Sequence, residues 1–177
     1  MRISLHKRND LSEVEGQELK NLSQAVYSPE DVSNWPGRSL EWSRPEIAIF
    51  LRENDEQLAC HAGLLIRSAL YNGADVRIGG VGGVMTRPDA RRQGYAAQAL
   101  KSALDFFHEN LADFGLLVCE HRLLDYYGQS GWKEFNGQLL VMQHAAPAEF
   151  TFNKVMVQDV KKTSPVTGVI DLLGPPW

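Results

Sequence analysis

Two adjoining stretches decide the fold, Ile78-Gly79-Gly80-Val81-Gly82-Gly83-Val84-Met85-Thr86 and Arg87-Pro88-Asp89-Ala90-Arg91-Arg92-Gln93-Gly94-Tyr95-Ala96. The first predicts a strand with four glycines. Glycines weaken a strand and are tolerated at a bulge, at a bend of the barrel type, or where a ligand approaches the backbone. Pro88 cannot continue the hydrogen bonds of a strand, so the chain must turn before the helix that the residues after Gly94 predict.

The turn before this helix has the properties of an anion site. The first N–H groups of a helix have no intrahelical partner, and they lie at the positive end of the helix dipole. Gly94 lets a ligand approach the backbone, and Arg91 and Arg92 add positive charge beside it. We therefore expect a phosphate or pyrophosphate here. The stretch lacks Gly-Lys-Ser/Thr and G-x-G-x-x-G, which excludes a Walker-type loop and a dinucleotide fingerprint.

Two motifs carry a family resemblance. The first is the acyl-CoA signature Arg/Gln-x-x-Gly-x-Gly/Ala, which is matched by Arg91-Arg92-Gln93-Gly94-Tyr95-Ala96. The second is a helix late in the chain that carries a tyrosine, which is matched by Tyr127-Gly128-Gln129-Ser130-Gly131-Trp132. On these residues the chain resembles the GNAT (GCN5-related) N-acetyltransferases, and among them the aminoglycoside 2′-N-acetyltransferases. The resemblance implies one α/β domain over residues 1–177. Its central sheet would be mostly antiparallel, splayed at a cofactor cleft and flanked by helices.

The resemblance also implies acetyl-CoA as co-substrate, with its pyrophosphate on the backbone amides of residues 92–96. The backbone of the glycine-rich strand would pair with the pantetheine arm like an added strand. The implied cofactor-binding residues are Val84, Met85, Thr86, Arg91, Arg92, Gln93, Gly94, Tyr95 and Ala96. No metal site is expected.

For catalysis, the resemblance implies direct attack of an amine on the thioester, with Tyr127 as the acid that protonates the leaving thiolate. Many relatives carry a glutamate as base at the position of Gly82, and this chain has no carboxylate in the glycine-rich stretch from Ile78 to Thr86. The candidates to replace it are Glu120, His121 and the carboxylate of Trp177. Each also has a structural interpretation: Tyr127 as a packed aromatic, Glu120 and His121 as loop polar residues, Trp177 as a surface anchor.

The function implied is an acetyl-CoA-dependent N-acetyltransferase acting on the primary amine of a small molecule. Two alternatives stay open: a non-catalytic module that binds acyl-CoA, favoured by the missing base, and an acyltransferase with a longer acyl donor. Trp35 and Trp42 in a proline-rich loop favour a flat or apolar acceptor, whereas aminoglycosides would need more carboxylates.

Composition sets the outer limits. The chain has 177 residues, a net charge of −4 and a pI near 5.7, which argues against a general nucleic-acid binder. We expect no membrane span and no signal peptide, hence a cytoplasmic protein. A homodimer is one option, and the sequence leaves the oligomeric state open. Five arginines, Arg67, Arg77, Arg87, Arg91 and Arg92, form a basic island that favours an anionic ligand. Cys60, His61 and His108 are expected to be structural, and Cys119 is a poor nucleophile because its neighbours are apolar.

Periodicity and turn residues predict the remaining elements. Strands are predicted at 3–8, 47–51, 57–71, 74–86 and 115–119, and helices at 12–27, 94–112 and 123–130, with a loop over 28–45 and a turn over 53–56. Hairpins are predicted at Asn72-Gly73 and at Asn136-Gly137, the second joining residues 132–135 to 138–142, and weaker strands at 150–157 and 166–173.

Overall fold

The computed structural model describes residues 1–53 and 57–177. The strands in this part of the chain are β1 (Arg2–Lys7), β2 (Ile47–Glu53), β3 (Gln57–Tyr71), β4 (Ala74–Thr86), β5 (Phe114–Cys119), β6 (Lys133–Glu134), β7 (Gln138–Gln143), β8 (Ala146–Glu149), β9 (Lys154–Asp159) and β10 (Val169–Asp171). The helices are α1 (Glu13–Val26), α2 (Pro29–Asn34), α3 (Tyr95–Glu109) and α4 (Leu124–Gly128).

Within the described residues these strands form one mixed sheet. Its main body runs β1-β2-β3-β4-β5-β9-β6, and β10, β7 and β8 continue from the far end of β3. Neighbours are antiparallel except for the pairs β4–β5 and β7–β10, which are parallel. The predicted fold class, a mostly antiparallel α/β sheet flanked by helices, is confirmed.

Local sequence signals explain the best-predicted elements. Asn72 and Gly73 join β3 to β4 with φ values of 48° and 81°, the positive values that a two-residue hairpin requires. Ser12 begins α1 with a capping box, in which its hydroxyl accepts from the Glu15 N–H and the Glu15 carboxylate accepts from the Ser12 N–H. The predicted helix over 12–27 is therefore confirmed.

The two faces of the sheet are covered differently. Helix α3 packs on one face, where Phe107 lies over Gly79. Trp177 lies over Gly80, and because successive strand residues point to opposite faces, it covers the other face. The apolar cluster on that side also contains Leu116 and Ile170.

The second predicted hairpin is wrong. Lys133 and Glu134 pair with β9 rather than with β7. The real hairpin here joins β7 to β8 through His144 and Ala145, with φ values of 50° and 61°. Gly137 is instead a close-approach position, since a Cβ there would lie 2.2 Å from the Gly168 carbonyl oxygen.

Smaller differences concern boundaries. The predicted loop over 28–45 contains α2, which Ser28 caps and Pro29 begins. Helix α3 ends at Glu109, earlier than predicted, and β9 and β10 are shorter than the predicted tail strands. Of the turn predicted over 53–56, residues 54–56 lie outside the described residues, and Glu53 ends β2. Among the helices of residues 1–53 and 57–177, none is long and apolar enough to cross a membrane.

Candidate active site

A cleft opens where β4 and β5 separate. The two strands pair from Ile78 with Phe114 as far as Val81 with Leu117. Beyond that point β4 stays paired with β3 through Thr86, and β5 stays paired with β9 through Cys119. Residues 82–86 therefore present a backbone edge to the cleft without β5 as a partner. Such an edge can take an extended ligand as an added strand.

A bulge shapes this edge. The β3–β4 register shifts between His61 and Gly63, and Gly83 in the shifted part has φ +58°. The Nδ1 of His61 lies 2.8 Å from the Gly83 carbonyl oxygen, and the residue is only 2% exposed. Burial lowers the pKa of His61 to about 4, so the ring is neutral at pH 7 and its Nδ1–H donates to the carbonyl.

The predicted anion turn lies at the end of this edge. Arg92 and Gly94 have φ values of 63° and 82°, and Gly94 begins α3 with no side-chain capping bond. A Cβ on Gly94 would meet nothing within 4 Å, so the left-handed conformation, and not space, requires glycine here. The first N–H groups of α3 thus remain available to an anion.

The arginines of the basic island differ in their partners. Arg87 is bound to Glu53 at 3.0 Å and to Asp89. Arg67 donates to the Pro175 carbonyl oxygen instead of facing the turn. Among the described residues, Arg91 and Arg92 have no acidic partner, so these two carry the positive charge at the turn.

Residues 9–135 match the sequence profile of the acetyltransferase (GNAT) domain. The chain belongs to the GNAT acetyltransferase family. The superfamily prediction is confirmed, whereas the narrower resemblance to the aminoglycoside 2′-N-acetyltransferases stays a prediction. A search of curated proteins gave no match.

Solved GNAT structures share the fold at low identity. The Escherichia coli protein YhbS in complex with CoA is 12% identical, with a TM-score of 0.65 over 98% of this chain and 91% of that one. A Brucella melitensis GNAT acetyltransferase in complex with acetyl-CoA is 16% identical, with a TM-score of 0.58 over 96% and 94%. An aminoglycoside 6′-N-acetyltransferase complexed with coenzyme A is 12% identical, with a TM-score of 0.61 over 93% and 99%.

Two of the glycines in the GNAT cleft strand make room for aromatic rings. A Cβ on Gly79 would lie 2.3 Å from Phe107 Cγ, and a Cβ on Gly80 would lie 2.3 Å from Trp177 Cε2. At Gly82 it would lie 3.2 Å from the backbone carbonyl carbon of Trp177. Trp177 therefore occupies the space toward which a side chain at position 82 would extend.

Several polar contacts hold the segment that ends in Trp177. Ser43 donates its N–H to the Pro176 carbonyl at 2.6 Å and its hydroxyl to the Pro175 carbonyl at 3.0 Å. The guanidinium of Arg67 lies 5.2 Å from the centre of the Trp177 ring, a cation–π contact. Ser43 and Arg67 were not predicted as site residues, because their partners are distant in sequence.

Tyr127, the predicted acid, is buried in α4 within the same apolar cluster as Cys119. Within residues 1–53 and 57–177, its hydroxyl has no hydrogen-bond partner. Burial raises the pKa of Tyr127, and the neighbouring Cys119 and Tyr126 raise it further. The phenol is thus protonated at neutral pH, as the acid role requires, and that role stays a prediction. The same burial raises the pKa of Cys119 to about 11, which opposes a nucleophilic role.

The predicted base candidates have different surroundings. Glu120 accepts a 2.6 Å hydrogen bond from Arg122, which lowers the pKa of its carboxyl. His121 is exposed and lines a cavity of about 450 Å³ beyond the end of β5. Tyr27 is 43% exposed, but partial desolvation of its hydroxyl raises its pKa, and the charges of Glu120 and Arg91 lie near enough to affect it as well.

This cavity has an apolar wall and a charged rim. Phe135, Leu139 and Phe150 form part of the wall, and they belong to the same apolar cluster as Trp177. Glu134 and Glu149 lie at the rim. The two loop tryptophans pack edge-on against phenylalanines that line this cavity. The ring centres of Trp42 and Phe150 are 6.0 Å apart, and those of Trp35 and Phe152 are also 6.0 Å apart.

Proposed function

We propose that this GNAT acetyltransferase uses acetyl-CoA, binds it within a single domain over residues 1–177, and transfers the acetyl group directly to the primary amine of a small molecule. One observation carries the proposal: the open edge at residues 82–86 leads directly into a turn with free amides and two arginines. Coenzyme A has the matching parts, since an extended amide-bearing arm is joined to a pyrophosphate. The CoA and acetyl-CoA complexes of structural neighbours support this choice.

Each part of the cleft has a role in binding. The backbone of Val84, Met85 and Thr86 pairs with the pantetheine arm. The amides of residues 92–96, with the Arg91 and Arg92 side chains and the α3 dipole, hold the pyrophosphate. The implied residues Gln93, Gly94, Tyr95 and Ala96 act through their backbone, because the Tyr95 ring is buried and Gly94 has no side chain.

The chemistry follows from the same arrangement. Acetyl-CoA supplies the acetyl group as a thioester, whose carbonyl carbon the amine attacks. Tyr127 holds the proton that the departing thiolate needs. The attacking amine must be neutral, and we favour His121 over Glu120 as the group that receives its proton. His121 faces the cavity, whereas the ion pair of Glu120 with Arg122 stabilises the carboxylate and makes it a weaker base. The role predicted for the Trp177 carboxylate stays a prediction.

The cavity beside His121 is our choice for the acceptor. Its aromatic and aliphatic wall fits an apolar or flat body, and the rim carboxylates of Glu134 and Glu149 fit a cationic amine. Glu134 is already paired with Lys154 at 2.9 Å, so the rim carries less free negative charge than a polycationic antibiotic would need. An arylalkylamine is therefore a better acceptor than an aminoglycoside.

The experiment combines binding and turnover. Acetyl-CoA should raise the melting temperature of the protein, and free thiol should appear with arylalkylamines faster than with aliphatic polyamines or aminoglycosides. Arg91→Ala and Arg92→Ala should each weaken acetyl-CoA binding several-fold. Arg77→Ala is the matched control, because Arg77 is an exposed arginine at the other end of β4.

Two results would contradict the proposal in different ways. Saturable acetyl-CoA binding without thiol release for any amine would leave the acyl-CoA-binding module, the function that the missing carboxylate at Gly82 favours. A faster reaction with longer acyl-CoA donors would replace acetyl by another acyl group.

A further inference from the structure

His61 is buried at a thermodynamic disadvantage. Its Nδ1 is bound to the Gly83 carbonyl, but its Nε2 is buried without a hydrogen-bond partner among the described residues. An unpaired buried nitrogen costs free energy that an apolar side chain would not. An apolar side chain would also fit the surroundings, because the centre of the Phe50 ring lies 5.9 Å from that of His61. The His61 ring is 2% exposed and its free acceptor, Nε2, is buried, so no substrate amine can reach the nitrogen that could take a proton. What distinguishes His61 from leucine at this place is the bond to Gly83.

That bond fixes one peptide plane. In a trans peptide the C=O of one residue and the N–H of the next point in opposite directions. The Gly83 carbonyl points toward His61 on β3, so the Val84 N–H points away from β3. On that side no strand of the described residues pairs with β4 beyond Val81, where its pairing with β5 ends. Gly83 alone would not hold this orientation, because a glycine at φ +58° has access to several others.

We propose that His61 is a positioning residue: it holds the Gly83–Val84 peptide so that the Val84 N–H donates to the carbonyl oxygen of the acetyl thioester. This inference rests on the proposed function. As the amine attacks, negative charge develops on that oxygen, and a donor fixed beforehand stabilises it. The His61 bond also polarises the peptide, which strengthens the Val84 N–H as a donor.

The test compares three variants. His61→Leu removes the donor and the unpaired Nε2, and His61→Asn replaces the ring with an amide N–H near the position of Nδ1. Phe50→Leu is the matched control, because it disturbs packing against the His61 ring without removing the bond to Gly83. We expect His61→Leu to lower kcat by about 10- to 100-fold, below the full loss of an oxyanion donor because the peptide is misplaced and not removed. His61→Asn should recover a large part of that loss, and Phe50→Leu should stay within about threefold of the original chain.

A spectroscopic measurement separates positioning from a packing role. With acetyl-CoA labelled with ¹³C at the carbonyl, donation from Val84 should move the bound signal downfield of free acetyl-CoA. In His61→Leu the signal should return toward the free position, while CoA itself, which lacks the acetyl carbonyl, binds as before. In the unaltered chain the Val84 amide proton should shift farther with acetyl-CoA than with CoA, which shares the pantetheine arm but lacks the acetyl carbonyl, and this measurement needs no variant to fold.

The outcomes are distinct. An unchanged ¹³C signal and kcat in folded His61→Leu, or a Val84 amide that responds equally to CoA, overturns the inference and leaves the proposed function standing. If the unaltered chain does not bind acetyl-CoA, both are overturned.

Discussion

Because Gly80 lies against the Trp177 ring, we expect Gly80→Ala to destabilise the protein when the ring is present and to stabilise it when the ring is removed. In Gly80→Ala the new Cβ would lie 2.3, 2.6 and 2.7 Å from three atoms of the indole ring. Carbon atoms pack at about 3.5–4.0 Å, so the ring must retreat by about 1 Å or more. Overpacking of this kind costs about 1–3 kcal/mol. The retreat also disturbs the cation–π contact with Arg67.

Removing the ring removes the clash. Trp177→Ala alone should cost about 3–5 kcal/mol, the usual loss for a buried tryptophan. In that background Gly80 is an ordinary strand glycine, and alanine should stabilise by about 0.4–1 kcal/mol because it restricts the unfolded chain. The coupling energy of the double-mutant cycle is therefore about 1.5–4 kcal/mol.

Urea denaturation of the four proteins measures this cycle. Melting temperatures should follow, at roughly 2–4 °C per kcal/mol for a chain of this size. Gly16→Ala is the matched control, since a Cβ on this helical glycine meets nothing within 4 Å and should stabilise in both backgrounds. If Gly80→Ala destabilises equally with and without the Trp177 ring, the two residues are not in contact and the account of the tail is refuted.

Three further predictions concern the cleft. Tyr127→Phe should lower kcat by about 100-fold or more with little change in the KM for acetyl-CoA, which steady-state kinetics measures; an equal loss in both would contradict the acid role. Gly94→Ala should cost about 1–2 kcal/mol through its φ of +82° alone and weaken acetyl-CoA binding, as thermal melts with and without ligand would show. The pKa of His61 is about 4 in the folded chain against about 6.5 unfolded, so the unfolded state binds the extra proton between these values. The contribution of neutral His61 to the free energy of unfolding should be fully present above pH 6.5 and fall by roughly 3 kcal/mol as the pH drops to 4. His61→Leu should lack this dependence, which urea denaturation at several pH values measures.

The elements that the sequence predicts well are those with a local cause. Asn72-Gly73 makes its hairpin because both residues adopt positive φ readily, and Ser12 begins a helix because its side chain and that of Glu15 satisfy each other's backbone. The turn at Gly94 belongs to the same class. Its glycine is required by backbone conformation, and the amides that follow it are exposed for the same reason that any helix N-terminus exposes them.

Interactions between distant segments could not be predicted in this way. Asn136-Gly137 carries the same turn chemistry as Asn72-Gly73, yet the glycine is there because the Gly168 backbone passes against it. The real turn at His144 and Ala145 contains neither asparagine, aspartate nor glycine, and it is supported by pairing of β7 with β8 and β10 and by the His144 N–H, which donates to the Glu41 carboxylate. Arg67 counted toward a basic island, and only the folded chain shows that it binds the Pro175 carbonyl.

The absence of a carboxylate at position 82 and the position of Trp177 are linked, because Trp177 lies in the space beside Gly82. A Cβ at position 82 would already lie 3.2 Å from the Trp177 backbone, a tight contact, and the rest of a glutamate would extend into the same space. A glutamate at position 82 would therefore require the Trp177 backbone to move by a few tenths of an ångström. At position 80 a side chain would likewise overlap the indole ring of Trp177, because even a Cβ there would lie 2.3 Å from Cε2. An aromatic residue packed on this strand leaves little room for side chains at positions 80 and 82. In the proposed reaction, the group that accepts the amine's proton therefore comes from another element, such as the loop after β5.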